Sequence, residues 1–208
     1  MADKSSQGQE LEVKLLIADL PALEARLQAL KAQRSQARTH EVNLRFDTPQ
    51  GELSRASKAL RLRKDTANRL TYKGPSEDVE GVRARREIEF TVGDFDEARA
   101  FLEALGYQVS MIYEKYRTTY RLDDIEILLD ELPYGNFAEI EGPHAERIHA
   151  LADQLGLDWS ARIPASYTVL FDQLRERMEL PFRDLTFENF RELEDPLATF
   201  EFQPADRD

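Results

Sequence analysis

Glu10-Leu11-Glu12-Val13-Lys14 is the stretch whose reading decides the fold. Successive side chains of a strand alternate faces, so Glu10, Glu12 and Lys14 share one face while Leu11, Val13 and Leu15 share the other. Two carboxylates and an ammonium on one short strand describe, taken alone, a solvated surface. The same pattern recurs downstream, however. Polar sets stand at Arg61/Arg63, Thr71/Lys73, Arg85/Glu87/Glu89, Lys115/Arg117/Thr119, Glu126/Asp130 and Glu139/Glu141. Most face away from apolar sets: Leu60/Leu62, Leu70/Tyr72, Ile88/Phe90, Ile125/Ile127/Leu129 and Ala138/Ile140.

Working outward, the first strand covers about 9–17. Asp19 can cap a helix opening at Pro21, with Leu23, Leu27 and Leu30 as its apolar stripe. Residues 39–47 alternate as a second strand, ended by Asp47-Thr48-Pro49-Gln50-Gly51, and a short helical piece follows near 52–56. Residues 60–64 and 69–73 read as a hairpin closed by the Lys73-Gly74-Pro75 break. After a strand at 85–92, Asp94 caps a helix that runs to Leu105 and stops at Gly106. Strands at 109–120, 124–130 and 137–141 follow. A helix after Pro143 ends at Gly156, and a last amphipathic helix runs from Pro164 to about Met178.

Eight strands with helices inserted between pairs give an α+β chain whose sheet is mostly antiparallel. Helices with apolar stripes need an apolar sheet face to cover, so the Leu/Ile faces are expected to point outward. An open sheet would leave the charged faces in water; a closed one turns them inward, and eight strands leave an interior about wide enough for side chains or one small ligand. The expected architecture is an eight-stranded antiparallel β-barrel, a tunnel, with helices packed outside. Residues 1–178 would form it. Residues 179–208 would be an extension packing on the barrel through Phe182, Leu185, Phe187 and Phe190, with a plug over an opening as the sharper alternative. Residues 204–208 are expected to fray.

Composition narrows the partners. Acidic residues outnumber basic ones 40 to 28, for a net charge of −12, which disfavours wrapping nucleic acid or lying on an anionic membrane. With no cysteine, disulfides, thiolate metal sites and cysteine nucleophiles are excluded. Ala2 to Gln9 is polar without a signal-peptide core, and no apolar run reaches membrane-spanning length, so a soluble, cytoplasmic protein is expected. A homodimer is one assembly open to it.

A charged lumen is stable only if opposite signs pair or a charged ligand and metal ions occupy it. Arg and Lys, which suit phosphate oxygens, cluster on the middle strands. Carboxylates, which suit hard cations such as Mg²⁺ or Mn²⁺, cluster on the first and last. Both in one cavity fit a metal–polyphosphate complex. The chain has no GxxxxGK[ST], GxGxxG, GxSxG or HExxH motif, so side chains must supply the positive charge for phosphate chemistry. Glu126 reads as a rim charge, and His144 and His149, five apart on a helix, as surface residues.

In order along the chain, Glu10-x-Glu12-x-Lys14, Leu60-Arg61-Leu62-Arg63, Tyr72-Lys73-Gly74, Arg86-Glu87-Ile88-Glu89, Lys115-Tyr116-Arg117 and Leu129-Asp130-Glu131 followed by Phe137-Ala138-Glu139-Ile140-Glu141-Gly142 resemble the CYTH family. These triphosphate tunnel metalloenzymes include class IV adenylate cyclases, thiamine triphosphatases and inorganic tripolyphosphatases. The resemblance extends to about Phe171. It implies a small-molecule triphosphate bound by Lys14, Arg61, Arg63, Lys73, Lys115 and Arg117, with Arg85 as a helper. It implies Mg²⁺ or Mn²⁺ at Glu10, Glu12, Glu87, Glu89, Asp130, Glu139 and Glu141, as ligands or their supports, with Lys14 and Glu12 catalytic. The implied activity is metal-dependent hydrolysis of tripolyphosphate or thiamine triphosphate. A class IV adenylate cyclase, or a non-catalytic polyphosphate- or nucleotide-binding module, stands as the alternative. One departure matters: some of these triphosphatases carry a base-forming tyrosine on the second strand. Here His40-Glu41-Val42-Asn43-Leu44-Arg45-Phe46-Asp47 has none, and Asn43 and Arg45 are expected to face the lumen instead.

Overall fold

The computed structural model describes residues 9–194, 196–199 and 202–206, and for Gln9, Glu10 and Thr199 the backbone alone. Eight strands form one closed antiparallel barrel: β1 (Gln9–Leu16), β2 (Gln33–Asp47), β3 (Ala59–Lys64), β4 (Asn68–Val79), β5 (Val82–Val92), β6 (Gln108–Leu122), β7 (Ile125–Leu132) and β8 (Gly135–Gly142). Around the wall they run β1-β5-β4-β3-β2-β6-β7-β8, and β8 returns to β1. Among the described residues five α-helices lie outside: α1 (Leu20–Ala29), α2 (Glu52–Arg55), α3 (Phe95–Ala104), α4 (Ala145–Gln154) and α5 (Tyr167–Met178). Among the described residues no helix is long and apolar enough to cross a membrane.

The outward apolar faces fill three clusters. Val13 and Leu15 of β1, Ile125, Ile127 and Leu129 of β7 and Ile140 of β8 pack with Leu23 and Leu27 of α1 and Ile148 and Leu151 of α4. Leu44, Phe46 and Leu62 meet Leu102 of α3. Phe137 and Leu132 join Leu170, Phe171 and Leu174 of α5 with Leu185 and Phe190 from the C-terminal segment. Each such side chain contributes roughly 1.5–3 kcal/mol through burial. Asp19 caps α1 and Asp94 caps α3, as their positions led us to expect.

Several expectations are corrected. The apolar face of β5 is only partly covered: Val82 and Ala84 are buried and Val92 packs beside α3, but Ile88 and Phe90 between them are 45% and 55% exposed. The Gly74-Pro75 pair does not end the hairpin. β4 continues to Val79, and the register shifts between Lys73 and Ser76, a bulge that accommodates the proline's missing N–H. The last helix opens at Tyr167 rather than Pro164, because the Ser166 hydroxyl caps it by accepting from Val169 N–H.

Residues 204–206, expected to fray, are tied down. Ala205 N–H donates to Leu16 O, Asp158 N–H donates to Ala205 O, and the Asp206 carboxylate accepts from Ala18 and Asp19 N–H. Residues 207 and 208 lie outside the described residues. Upstream, the 180–190 stretch does pack on the barrel: Leu185 exchanges backbone hydrogen bonds with Ile112 and Glu114, extending an edge of β6 that β7 does not reach.

Candidate functional site

Strand register decides which charges meet. β1 pairs with β8 so that Glu12 lies beside Glu141 and Lys14 beside Glu139. β6 sets Arg117 beside Asp130 on β7 and Lys115 beside Glu41 on β2. β3 sets Arg61 and Arg63 beside Thr71 and Arg69 on β4. With the apolar partners outside, these side chains converge on a cavity of about 420 Å³. That lies within the range of small-molecule sites, roughly 300–1,000 Å³. Among its lining residues, only Ala59 and Leu128 are aliphatic and only Tyr113 and Tyr167 aromatic.

One corner is carboxylate-rich. Glu12, Glu139 and Glu141 each place an oxygen within 4.8 Å of the others. Glu139 is 5% exposed, and its oxygens take the Lys14 ammonium at 3.0 Å and Arg117 Nη2 at 2.6 Å. Burial would raise the Glu139 pKa, but Lys14, Arg117 and Lys115 hold it well below the usual carboxylate range. Glu12 is paired with Arg83.

Asp130, with no exposed surface, organises the next layer. It accepts from Lys115 Nζ at 3.0 Å, Arg117 Nε at 2.6 Å and the Tyr167 hydroxyl at 2.9 Å. The start of α5 crosses this end of the tunnel. Lys14 Nζ sits 4.2 Å from the Tyr167 ring centre and donates to Ala165 O, while Arg45 Nη1 donates to Thr168 Oγ1 at 2.6 Å.

The opposite wall is basic. Arg61 and Arg63 donate to Glu89, which also accepts from Thr71 Oγ1. Arg63 lies 3.8 Å from Glu41 and 3.1 Å from Asp65. Lys73 pairs with Glu87 at 2.6 Å. Glu41 is 1% exposed. Burial alone would raise its pKa, yet Lys115, Arg117, Arg63 and Arg61 outweigh it and bring the value down to about 2. Tyr113 reaches Arg61 Nη1 with its hydroxyl at 3.4 Å; burial opposes ionisation, but Arg61 and Lys115 lower its pKa.

The structure thus gathers Glu12, Lys14, Arg61, Arg63, Lys73, Glu87, Glu89, Lys115, Arg117, Glu139 and Glu141 around one cavity, with Asp130 beneath it. The three-carboxylate corner holds Glu12, Glu139 and Glu141. Glu87, Glu89 and Asp130 instead bind Lys and Arg side chains elsewhere on the wall. Glu10 stands in β1, but its side chain lies outside the described residues. Arg85 donates to Gly74 O, and Glu126 pairs with Arg121 at the rim. Sequence reasoning missed Glu41, Tyr113 and Tyr167. The first two share parity with Arg45 and with Lys115, so the alternation contained them. Tyr167 comes from a helix end, where no strand pattern applies.

A CYTH domain profile matches residues 8–158, the span that carries all eight strands and nearly all of this cavity. The chain belongs to the CYTH domain family. Among relatives of this CYTH protein, a Methanocaldococcus jannaschii protein named "putative adenylate cyclase" is 29% identical over 134 residues, covering 64% of this chain and 75% of its own. A Vibrio parahaemolyticus protein with the same description is 27% identical, with a TM-score of 0.72 over 80% of this chain and 99% of its own. A Hippeastrum adenylyl cyclase homologue, described as having a dominant triphosphatase activity, shares the fold at 23% identity, with a TM-score of 0.60 over 79% of this chain and 95% of its own.

CYTH enzymes are metal-dependent, and the residues here fit such an ion. The Glu12–Glu139–Glu141 corner offers an all-oxygen donor set at mutual distances a single hard cation can span.

Proposed function

We propose that this CYTH protein hydrolyses the terminal anhydride of a small triphosphate compound with Mg²⁺ or Mn²⁺, inorganic tripolyphosphate or thiamine triphosphate being the simplest substrates. One observation carries the reading: a basic wall and a three-carboxylate corner face each other in a single cavity whose lining is mostly polar. Such a surface suits a chain of phosphates better than a purine, which needs a flat apolar or aromatic platform.

In this reading Lys14, Arg61, Arg63, Lys73, Lys115 and Arg117 bind phosphate oxygens, Arg through planar forks and Lys through point charges. Glu12, Glu139 and Glu141 hold the cation, Glu10 stands at the same end of β1, and Glu87, Glu89 and Asp130 orient the bases or complete the metal environment. When bound, the cation neutralises phosphate oxygens as charge builds up. Glu139, which pairs with Lys14 at 3.0 Å, would leave that ammonium to a phosphate oxygen if it held the cation, which makes Lys14 and Glu12 the pair closest to the chemistry. Asp130 and Tyr167 keep Lys115 and Arg117 in place, so little reorganisation is left for the transition state.

The names of the two relatives above 25% identity favour a second reading, class IV adenylate cyclase. There the ribose 3′-hydroxyl would attack the α-phosphorus and release pyrophosphate. A binding module without turnover would need the basic wall more than the carboxylate corner. Incubation with Mg²⁺ or Mn²⁺ and tripolyphosphate, thiamine triphosphate or ATP separates these readings. Orthophosphate release, abolished by chelation and by Glu12→Gln, is expected. Cyclic AMP with pyrophosphate would replace this reading with the cyclase. Binding without product would replace it with the module.

A further inference from the structure

Buried polar atoms without partners are rare, and each costs roughly 1–3 kcal/mol of desolvation. Here they concentrate on one patch. Both side-chain atoms of Asn43 lack a hydrogen-bond partner among the described residues, as do Glu41 Oε2 and the Nε atoms of Arg61 and Arg63. Asn43 has no exposed surface, so water does not satisfy it from outside. The patch is continuous. Asn43 lies between Arg63 on β3 and Tyr113 on β6 as cross-strand neighbours, and Glu41 is two residues away on the same face of β2.

The unmet groups are of both kinds. Asn43 Nδ2 and Arg61 Nε lack an acceptor, whereas Arg63 Nε has Asp65 Oδ2 at 3.1 Å; Asn43 Oδ1 lacks a donor, and Glu41 Oε2 has only the Lys115 ammonium at 3.7 Å, beyond hydrogen-bond reach. A fully ionised phosphate offers only acceptors and leaves the two oxygens unmet. A water molecule offers two O–H donors, and holding both against Glu41 Oε2 and Asn43 Oδ1 leaves its lone pair turned toward the tunnel. The pKa of Glu41, about 2, makes it an acceptor that orients a water rather than a base that deprotonates one. The arginines beside the patch are held by Glu89, at 3.3 Å from Arg61 and 3.2 Å from Arg63. A phosphate that replaced Glu89 as their partner would draw the guanidinium groups toward the tunnel, against the pairing of Arg63 with Asp65 at 3.1 Å, and would open the wall behind them.

We propose that Asn43, with Oε2 of Glu41, holds the attacking water of the hydrolysis against the β2 wall, across the barrel from the carboxylate corner. The inference rests on the hydrolase reading. The water oxygen bonds to the terminal phosphorus as the bridging phosphorus–oxygen bond breaks. One hydrogen stays on the orthophosphate and the other goes to the pyrophosphate oxygen released. Asn43 and Glu41 are positioning residues: they set the angle of attack and take no proton.

Asn43→Leu, which keeps the branched shape and removes both polar atoms, tests this with Mn²⁺ and tripolyphosphate. The kcat is expected to fall about tenfold to a hundredfold, the scale of a misplaced nucleophile, with KM changed by less than roughly threefold. In the absence of ligand the melting temperature is expected to match or exceed that of the wild type, because two unmet groups are gone. A variant that melts lower and turns over normally would make the amide a structural group. A higher KM at unchanged kcat would make it a phosphate ligand; either result overturns the proposal. If Asn43→Leu does not fold, Glu41→Gln and Asn43→Ala read the same kcat-against-KM split. Wild-type protein that releases no orthophosphate sinks the hydrolase reading and this inference together, whereas active wild type with an equally active variant sinks this inference alone.

Discussion

At the residue scale, charge here is placed by pairing. Glu41 illustrates the consequence for stability. Its pKa falls from 4.5 to about 2 on folding, so the native state keeps it ionised where the unfolded chain would protonate it. This contribution, on the order of 3 kcal/mol, is fully present above pH about 4.5 and disappears as the pH falls through about 2. Denaturant melts between pH 5 and 2 are expected to show that loss in the wild type and a shallower one in Glu41→Gln. Arg63→Ala, which removes a fork from the basic wall, is expected to lower kcat/KM for tripolyphosphate by roughly 2–4 kcal/mol, with the circular dichroism spectrum unchanged. The alternation of Glu12/Lys14, Arg61/Arg63 and Glu139/Glu141 made most of this lumen legible in the sequence. What the pattern did not carry was pairing. Nothing local tells that Glu89 binds Arg61 and Arg63 while Glu12, Glu139 and Glu141 converge, because that depends on barrel register.

At the element scale, strand existence was legible and strand length was not. β2, β4 and β6 all run beyond the alternating cores that announced them, since backbone pairing continues where side-chain periodicity has lapsed. Gly74-Pro75 looked like a stop because both residues punctuate chains, yet a bulge accommodates them inside β4. The C-terminal segment behaves as a structural element without regular secondary structure. Leu185 is fully buried and bonded to the edge of β6, so Leu185→Ala is expected to cost about 2–5 kcal/mol in urea unfolding. Tyr167→Phe deletes the hydroxyl that Asp130 accepts from and is expected to cost about 1–3 kcal/mol while loosening Lys115 and Arg117.

At the scale of the whole molecule, a chain of net charge −12 encloses a cavity whose lining is richer in basic than in acidic side chains. Apolar material outside and charge inside invert the usual globular arrangement, and the helices, together with residues 180–193, 197 and 202–206, cover much of the inverted wall. A ligand that satisfies both signs is expected to stabilise the protein: Mn²⁺ with tripolyphosphate at a hundred times its dissociation constant adds about 2.7 kcal/mol. A thermal shift that needs both components, and that a chelator reverses, checks this.

The closure of the barrel has a kinetic meaning as well. β1 is held between β5 and β8, so closing the wall joins the first strand to the eighth across all the strands between, and Glu12 meets Glu139 and Glu141 only at that join. Contacts of such high order form late and slowly during folding. During refolding, strand signal is therefore expected to recover before metal affinity does. The capacity to bind a cation at this corner serves as a marker that the chain has finished folding.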